Sequence, residues 1–272
     1  MIIRLPKFFP GLVVAILALG LLGACATPPT DPDALAEYNE INDPGEDVNR
    51  GVFAFNQALD RAILKPVAQG WRELAPVPVQ NGAHNFLNNL RSPIIFINDV
   101  LQLDFERAMT TLFRFLINST FGVAGLADPA TEMNLPFHNE DFGQTLAVWG
   151  FEEGPYIMLP IFGPSNPRDT IGLVVDFITD PFNAWADNTG NEWAPPTDSA
   201  ATAVDVRARY FDELEELEKS SLDYYAAIRS LYRQRRASEI SNGANSANMP
   251  APGIGSDPGA PTLGGDQLST AN

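Results

Sequence analysis

Asp104-Phe105-Glu106-Arg107-Ala108-Met109-Thr110-Thr111-Leu112-Phe113-Arg114-Phe115-Leu116-Ile117-Asn118-Ser119 is the stretch that decides the fold class. Phe105, Met109, Leu112, Phe113 and Leu116 return at helical spacing and make one apolar stripe. The spacing predicts a helix over 104–119, closed by Gly122 and Gly125. The other face carries Arg107, Thr110, Arg114 and Asn118. Two readings of that polar stripe are open. It is a solvated face, or it lines a polar passage through a helical body where its cations meet lipid phosphates.

The same period extends on both sides. Val48, Val52, Phe55, Leu59 and Ile63 form one apolar face, which Pro66 is expected to interrupt. A second helix is predicted near 78–90 with Phe86 and Leu90 inward. Ser92-Pro93 reads as an N-cap and first-turn proline ahead of Ile94-Ile95-Phe96-Ile97. Glycines and prolines punctuate 150–166, giving a rigid loop or a small hairpin. Pro167-Arg168-Asp169 then starts a helix capped by Ser165 or Asn166, carrying Ile171, Val174, Val175 and Ile178. Residues 183–198, rich in Asn, Trp and Pro, read as a loop. Two helices follow, striped by Val204, Ala208, Phe211, Leu214 and Leu217, and by Tyr225, Ile228 and Tyr232. The fold class is all-α with at most minor β.

The ends of the chain differ from this body. Arg4 and Lys7 precede an apolar run from Phe8 to Leu22, closed by Leu22-Gly23-Ala24-Cys25, the pattern of a secretory signal. Cys25 is the only cysteine of 272 residues and sits where bacterial lipoproteins are lipidated. An ordinary cleavage site at Ala24-Cys25-Ala26, or an uncut anchor, are the other readings. Ala26 lacks the acidic character of an inner-membrane retention signal, which directs the protein to the periplasmic face of the outer membrane. The organisation is therefore a signal peptide over 1–24, a lipidated Pro-containing tether over 25–42, a body over 43–240 and a disordered tail over 241–272.

Composition excludes several functions. The formal charge is −17, falling to −19 when Arg4 and Lys7 leave with the signal, so nucleic acid is not an expected partner. With Cys25 spent on lipid, no thiol nucleophile remains. There is no G-x-S-x-G elbow and no Gly-rich loop ahead of a lysine. Two histidines, His84 and His138, fall short of a zinc site, and His138-Asn139-Glu140-Asp141 lacks metal-ligand helical spacing. The run Asp212, Glu213, Glu215, Glu216 and Glu218 reads as a solvated helix face. Neither enzymatic activity, a metal nor a cofactor is expected.

Several spaced motifs resemble one family, the MlaA/VacJ lipoproteins of Gram-negative bacteria. Asp43, Pro44, Glu46, Asn49, Arg50, Phe53, Phe55 and Asn56 match its opening D-P-x-E-x-x-N-R-x-x-F-x-F-N. Gly82, Asn85-Phe86, Asn89-Leu90, Pro93, Asn98, Leu101-Gln102, Arg114-Phe115 and Asn118 follow. The most specific piece is Gly154-Pro155-Tyr156, Leu159-Pro160, Gly163-Pro164-Ser165 and Arg168-Asp169. Asp223, Tyr225, Arg229, Tyr232 and Gln234-Arg235-Arg236 close the match. Gly45, Asp47 and Val48 depart from the family, which has a bulky apolar residue, Gly and Phe there.

The resemblance implies a ring-shaped helical protein in the inner leaflet of the outer membrane, associated with a trimeric porin. Its polar central channel would take misplaced phospholipid from the outer leaflet and hand it to a soluble periplasmic lipid carrier protein. Arg107, Thr110, Arg114 and Asn118 are the candidate channel residues. Gly154, Pro155, Tyr156, Pro160, Pro164, Arg168 and Asp169 are the candidate channel-shaping loop. A structural lipoprotein bridging envelope components without transport is the alternative. If Cys25 is lipidated, Cys25→Ala abolishes incorporation of radiolabelled palmitate and leaves an unprocessed or soluble form; unchanged labelling rejects the lipoprotein assignment.

Overall fold

The computed structural model describes residues 42–243. The signal peptide, Cys25, nearly all of the tether and the tail beyond 243 lie outside the described residues. Eleven α-helices and one hairpin make up the described part: α1 (Glu46–Leu59), α2 (Lys65–Leu74), α3 (Val77–Leu101), α4 (Phe105–Thr120), α5 (Pro129–Glu132), α6 (Phe142–Val148), β1 (Ile157–Leu159), β2 (Gly163–Ser165), α7 (Pro167–Thr179), α8 (Pro181–Thr189), α9 (Ala194–Arg209), α10 (Phe211–Ser220) and α11 (Tyr224–Ile240). The fold is all-α, as the periodicity predicts.

Four expectations are corrected. Pro66 does not interrupt the first helix: a π turn over Asp60–Leu64 joins α1 to α2. A proline ring crowds the carbonyl four residues back, and the widened coil lies at that point. Ser92 is not a cap. Helix α3 runs through Pro93, and the Ser92 hydroxyl donates to the Asn88 carbonyl within the same helix. Phe86 is exposed and Leu90 only half-buried, because α3 turns Leu87, Asn89, Ile94, Ile95 and Asn98 inward instead. Residues 183–198 are mostly helical: Asp180 caps α8 and Gly190 ends it in the left-handed conformation.

Packing runs in a circuit. Helix α3 lies on α4, α6 and α9; α6 meets α11, which meets β2; β1 meets α1; and α2 returns to α9. Helices α6 and α7 approach most closely at two glycines, where a Cβ on Gly172 would lie 2.3 Å from the Gly143 nitrogen. The hairpin pairs Ile157 with Ser165 and Leu159 with Gly163. Its outer edge is matched to α1 by two asparagines. Asn49 accepts from the Met158 N–H (2.9 Å) and donates to the Tyr156 carbonyl (3.1 Å). Asn56 does the same for the Ile161 N–H (2.8 Å) and the Leu159 carbonyl (2.9 Å). Seven helical residues rise about 10.5 Å and three strand residues about 10 Å, so the two registers coincide.

The apolar core is small. Tyr156, Met158 and Tyr225 are buried with Val52, Phe53 and Tyr232 around them, the rings meeting edge to face at 5.5–6.1 Å. Helix α11 closes the circuit with one ridge, Tyr225, Arg229, Tyr232 and Arg236, at steps of four, three and four. Tyr225 and Arg229 reach Asp43 at 2.5 and 2.6 Å. Tyr232 donates to Asp169 at 2.5 Å, and Arg236 lies between Asp141 (2.6 Å) and Asp169 (2.7 Å). The acidic run on α10 is also tied down: Glu215 pairs with Lys65 and Arg207, Glu218 with Arg61, and Asp212 with Arg72. Arg236→Ala would leave the half-buried Asp141 without an arginine and Asp169 with only Arg168, Tyr232 and Asn166, and chemical denaturation is expected to read a loss of about 1.5–3 kcal/mol.

Candidate functional site

Helix α4 is turned inside out relative to a water-soluble amphipathic helix. Its apolar stripe is outward, with Phe105 62% and Phe113 47% exposed, while Ala108, Thr111, Arg114 and Asn118 are buried. Helix α1 shares the inversion only in part: Val48 and Phe55 are exposed and Asn49 is buried, while Val52 and Phe53 pack against the aromatic core. A polar inner face results, running from α4 onto α3 and the segment ahead of α6.

Three of the four expected stripe residues belong to that face. Arg107 donates to Glu140 at 2.6 Å, and Gln102 holds the other Glu140 oxygen at 2.9 Å. Arg114 donates to Asp128 at 2.7 Å and to Thr131 at 2.9 Å, binds the Leu135 carbonyl, and lies 5.6 Å from the Phe137 ring. Asn118 donates to Asp128 (2.9 Å) and accepts from the Ala130 N–H (3.1 Å). Thr110 does not join them; its hydroxyl donates to the Glu106 carbonyl of its own helix. The residue that does is Thr111, which completes the steps of four, three and four from Arg107 to Asn118. That period was available in the sequence.

Thr111 donates to Asp99 at 2.6 Å, and both Asp99 oxygens lie 3.0–3.1 Å from His138 Nε2. The Thr111 hydroxyl is 3.1 Å from that same nitrogen. An activated hydroxyl needs its base to face it with one ring nitrogen and the carboxylate with the other. Here both converge on Nε2, so the cluster ties α3 to α4 rather than arming a nucleophile. A small cavity lies beside it, lined by Ser92, Ile95, Thr111, Arg114, Phe137 and His138.

Burial sets the carboxyls of this face apart. It pushes Glu140 up, against the Gln102 hydrogen bond and the Arg107 charge. Burial alone would raise Asp128 too, but hydrogen bonds from Thr131, Arg114 and Asn118 bring it below the usual range. Asp176 on α7, holding Asn98 at 3.0 Å and the Phe142 N–H at 2.9 Å, is pushed by burial to about 6.

The expected loop residues are divided. Tyr156 is in the aromatic core, and Pro164 stands opposite Met158 in the hairpin, whose tip exposes Ile161 and Phe162 next to Pro160. Gly154, immediately before Pro155, has φ +71° and backs onto Pro167. Asn166, not Ser165, caps α7 by accepting from the Asp169 N–H at 2.8 Å. Asp169 joins the α11 clasp, and Arg168 is buried beside it.

The MlaA lipoprotein family model matches residues 41–239. The chain belongs to the MlaA lipoprotein family. It is 34% identical over 236 residues to the intermembrane phospholipid transport system lipoprotein MlaA of Haemophilus influenzae, covering 85% of this chain and 91% of that one. The Escherichia coli protein of the same name is 34% identical over 233 residues, covering 82% and 86%. An uncharacterized Rickettsia prowazekii protein is 33% identical over 238 residues, covering 84% and 93%. A solved chain from work on the structural basis for maintenance of bacterial outer membrane lipid asymmetry superposes with a TM-score of 0.65 at 34% identity, covering 73% of this chain and 98% of that one. The family motifs thus fall on the asparagine match to the hairpin, the α4 inner face and the α11 clasp.

Asp176 makes stability pH-dependent with a definite sign. Its folded value lies above the ordinary 3.8, so its contribution is whole below that value and is lost as pH rises through about 6. Asp176→Asn is expected to flatten the denaturation free energy between these limits by on the order of 1–3 kcal/mol relative to wild type.

Proposed function

We propose that this MlaA-family lipoprotein lies in the periplasmic leaflet of the outer membrane. There it removes mislocalised phospholipid that belongs elsewhere than the outer leaflet. The observation that carries this reading is the inversion of α4, together with the outward Val48 and Phe55 of α1. In water an amphipathic helix turns its apolar stripe to the core; an apolar stripe turned outward, with a polar face inside, suits a body surrounded by acyl chains. No helix among the described residues is long and apolar enough to cross a membrane, which fits seating in one leaflet. The relatives named for intermembrane phospholipid transport support phospholipid as the substrate.

On this reading the polar inner face accepts the headgroup while the tails remain in the bilayer, and the 154–169 segment shapes the wall of the passage. A trimeric porin holds the protein in place, and a soluble periplasmic carrier takes the lipid onward toward the inner membrane. The protein acts by transfer and not by catalysis. Cys25 supplies the lipid anchor.

Cells lacking the protein are expected to accumulate phospholipid in the outer leaflet, and the wild-type gene to reverse it. Met109→Asp with Phe113→Asp is expected to fail to reverse it at normal abundance, because charge on the outward stripe opposes seating in lipid. Unchanged asymmetry in the deletion would reject transport and favour a bridging role.

A further inference from the structure

We propose that Arg168 is a phosphate-binding residue, taking the phosphodiester of a phospholipid headgroup under the 150–154 loop. The inference rests on the transport reading above. The arginines of the α4 inner face are committed: Arg107 to Glu140 at 2.6 Å and Arg114 to Asp128 at 2.7 Å. Arg236 is held by Asp141 and Asp169. Arg107 and Arg236 also bury an Nε that makes no hydrogen bond, but each meets a carboxylate with a terminal nitrogen, and Arg168 does not. It is only 7% exposed, yet its Nη2 is buried without a partner. Its Nη1 reaches the Phe151 carbonyl only at 3.5 Å, and its Nε meets Asp169 at 3.1 Å. That carboxylate is already shared among Arg236, Tyr232 and Asn166.

A buried guanidinium with an unused N–H is costly unless something meets it. The planar fork suits a phosphate oxygen pair. The placement adds to this, because Arg168 stands in the first turn of the 13-residue α7, where the helix dipole favours an anion. The cover is a short exposed loop. Gly150 (φ +90°) and Gly154 (φ +71°) bracket the loop in conformations other residues rarely adopt, and Phe151 between them is 58% exposed. Opening the loop releases the weak Phe151 contact and presents Nη1 and Nη2 together.

The test uses the full-length lipoprotein in detergent with three probes: dihexanoylphosphatidylethanolamine, dihexanoylglycerol, which has the same tails and no phosphate, and inorganic phosphate. Arg168→Gln is expected to lower affinity for the phosphatidyl probe about tenfold, and Arg168→Lys by less. Thermal melting identifies variants that fold. In the wild-type protein, phenylglyoxal labelling of Arg168, read by mass spectrometry, is expected to be suppressed by the phosphatidyl probe and not by dihexanoylglycerol. Labelling unaffected by the probe, or absent without it, overturns the site. Equal suppression by inorganic phosphate overturns the lipid assignment. Wild-type affinity in Arg168→Gln, with asymmetry still dependent on the protein, removes this inference and leaves transport standing.

Discussion

A carboxylate held between two arginines organises this molecule. Asp169 accepts from Arg236, Arg168, Tyr232 and Asn166 within one turn of the start of α7, and Arg236 carries the same charge balance across to Asp141 on the cap of α6. Buried charges of this kind gain little net stability when formed and lose much when one partner is removed. Their effect is to tie α6, α7 and α11 to one another, with Gly143 and Gly172 supplying the space. The rest of the circuit follows from that junction, since α11 then lays Tyr225 and Arg229 against Asp43 and draws α1 onto the hairpin.

The interior is therefore unusual in kind. Hydrogen bonds and ion pairs, more than aliphatic packing, fill the space between helices, and the large apolar side chains are left outside. In water such an arrangement would be unfavourable, because burial of apolar surface is the main favourable term in folding. Surrounded by acyl chains the terms change, and unsatisfied polar groups become the dominant cost. On the proposed seating in lipid, the polar inside and the apolar outside of α4 belong together. The arginines of α4 contribute to it structurally: paired with Glu140 and Asp128, they brace the segment between α4 and α6.

Much was legible in the chain. Helical periods marked α1, α4, α7 and α11, the Pro-Gly punctuation left a rigid loop or a hairpin at 150–166, and the cap of α7 was narrowed to Ser165 or Asn166. These are decided within a few residues by backbone geometry and side-chain reach. The misreadings at Pro66, Ser92-Pro93 and 183–198 share a cause: proline signals a helix end only when nothing outside the segment holds the helix together. Packing of α3 against α4 and of α8 and α9 against their neighbours does so here.

What the sequence alone determined is the all-α class, the family through its spaced motifs, and the existence of two faces on α4. Tertiary structure alone decided which face is inside. Periodicity records that two faces differ, not which surroundings each one meets, and the usual assumption of an apolar face inside would have turned α4 the wrong way. The partners of Arg107, Arg114 and Arg236 were equally out of reach, because Glu140, Asp128, Asp141 and Asp169 are brought to them by contacts distant in the chain. Charge pairing acts through space, and only the closed circuit of helices sets those distances.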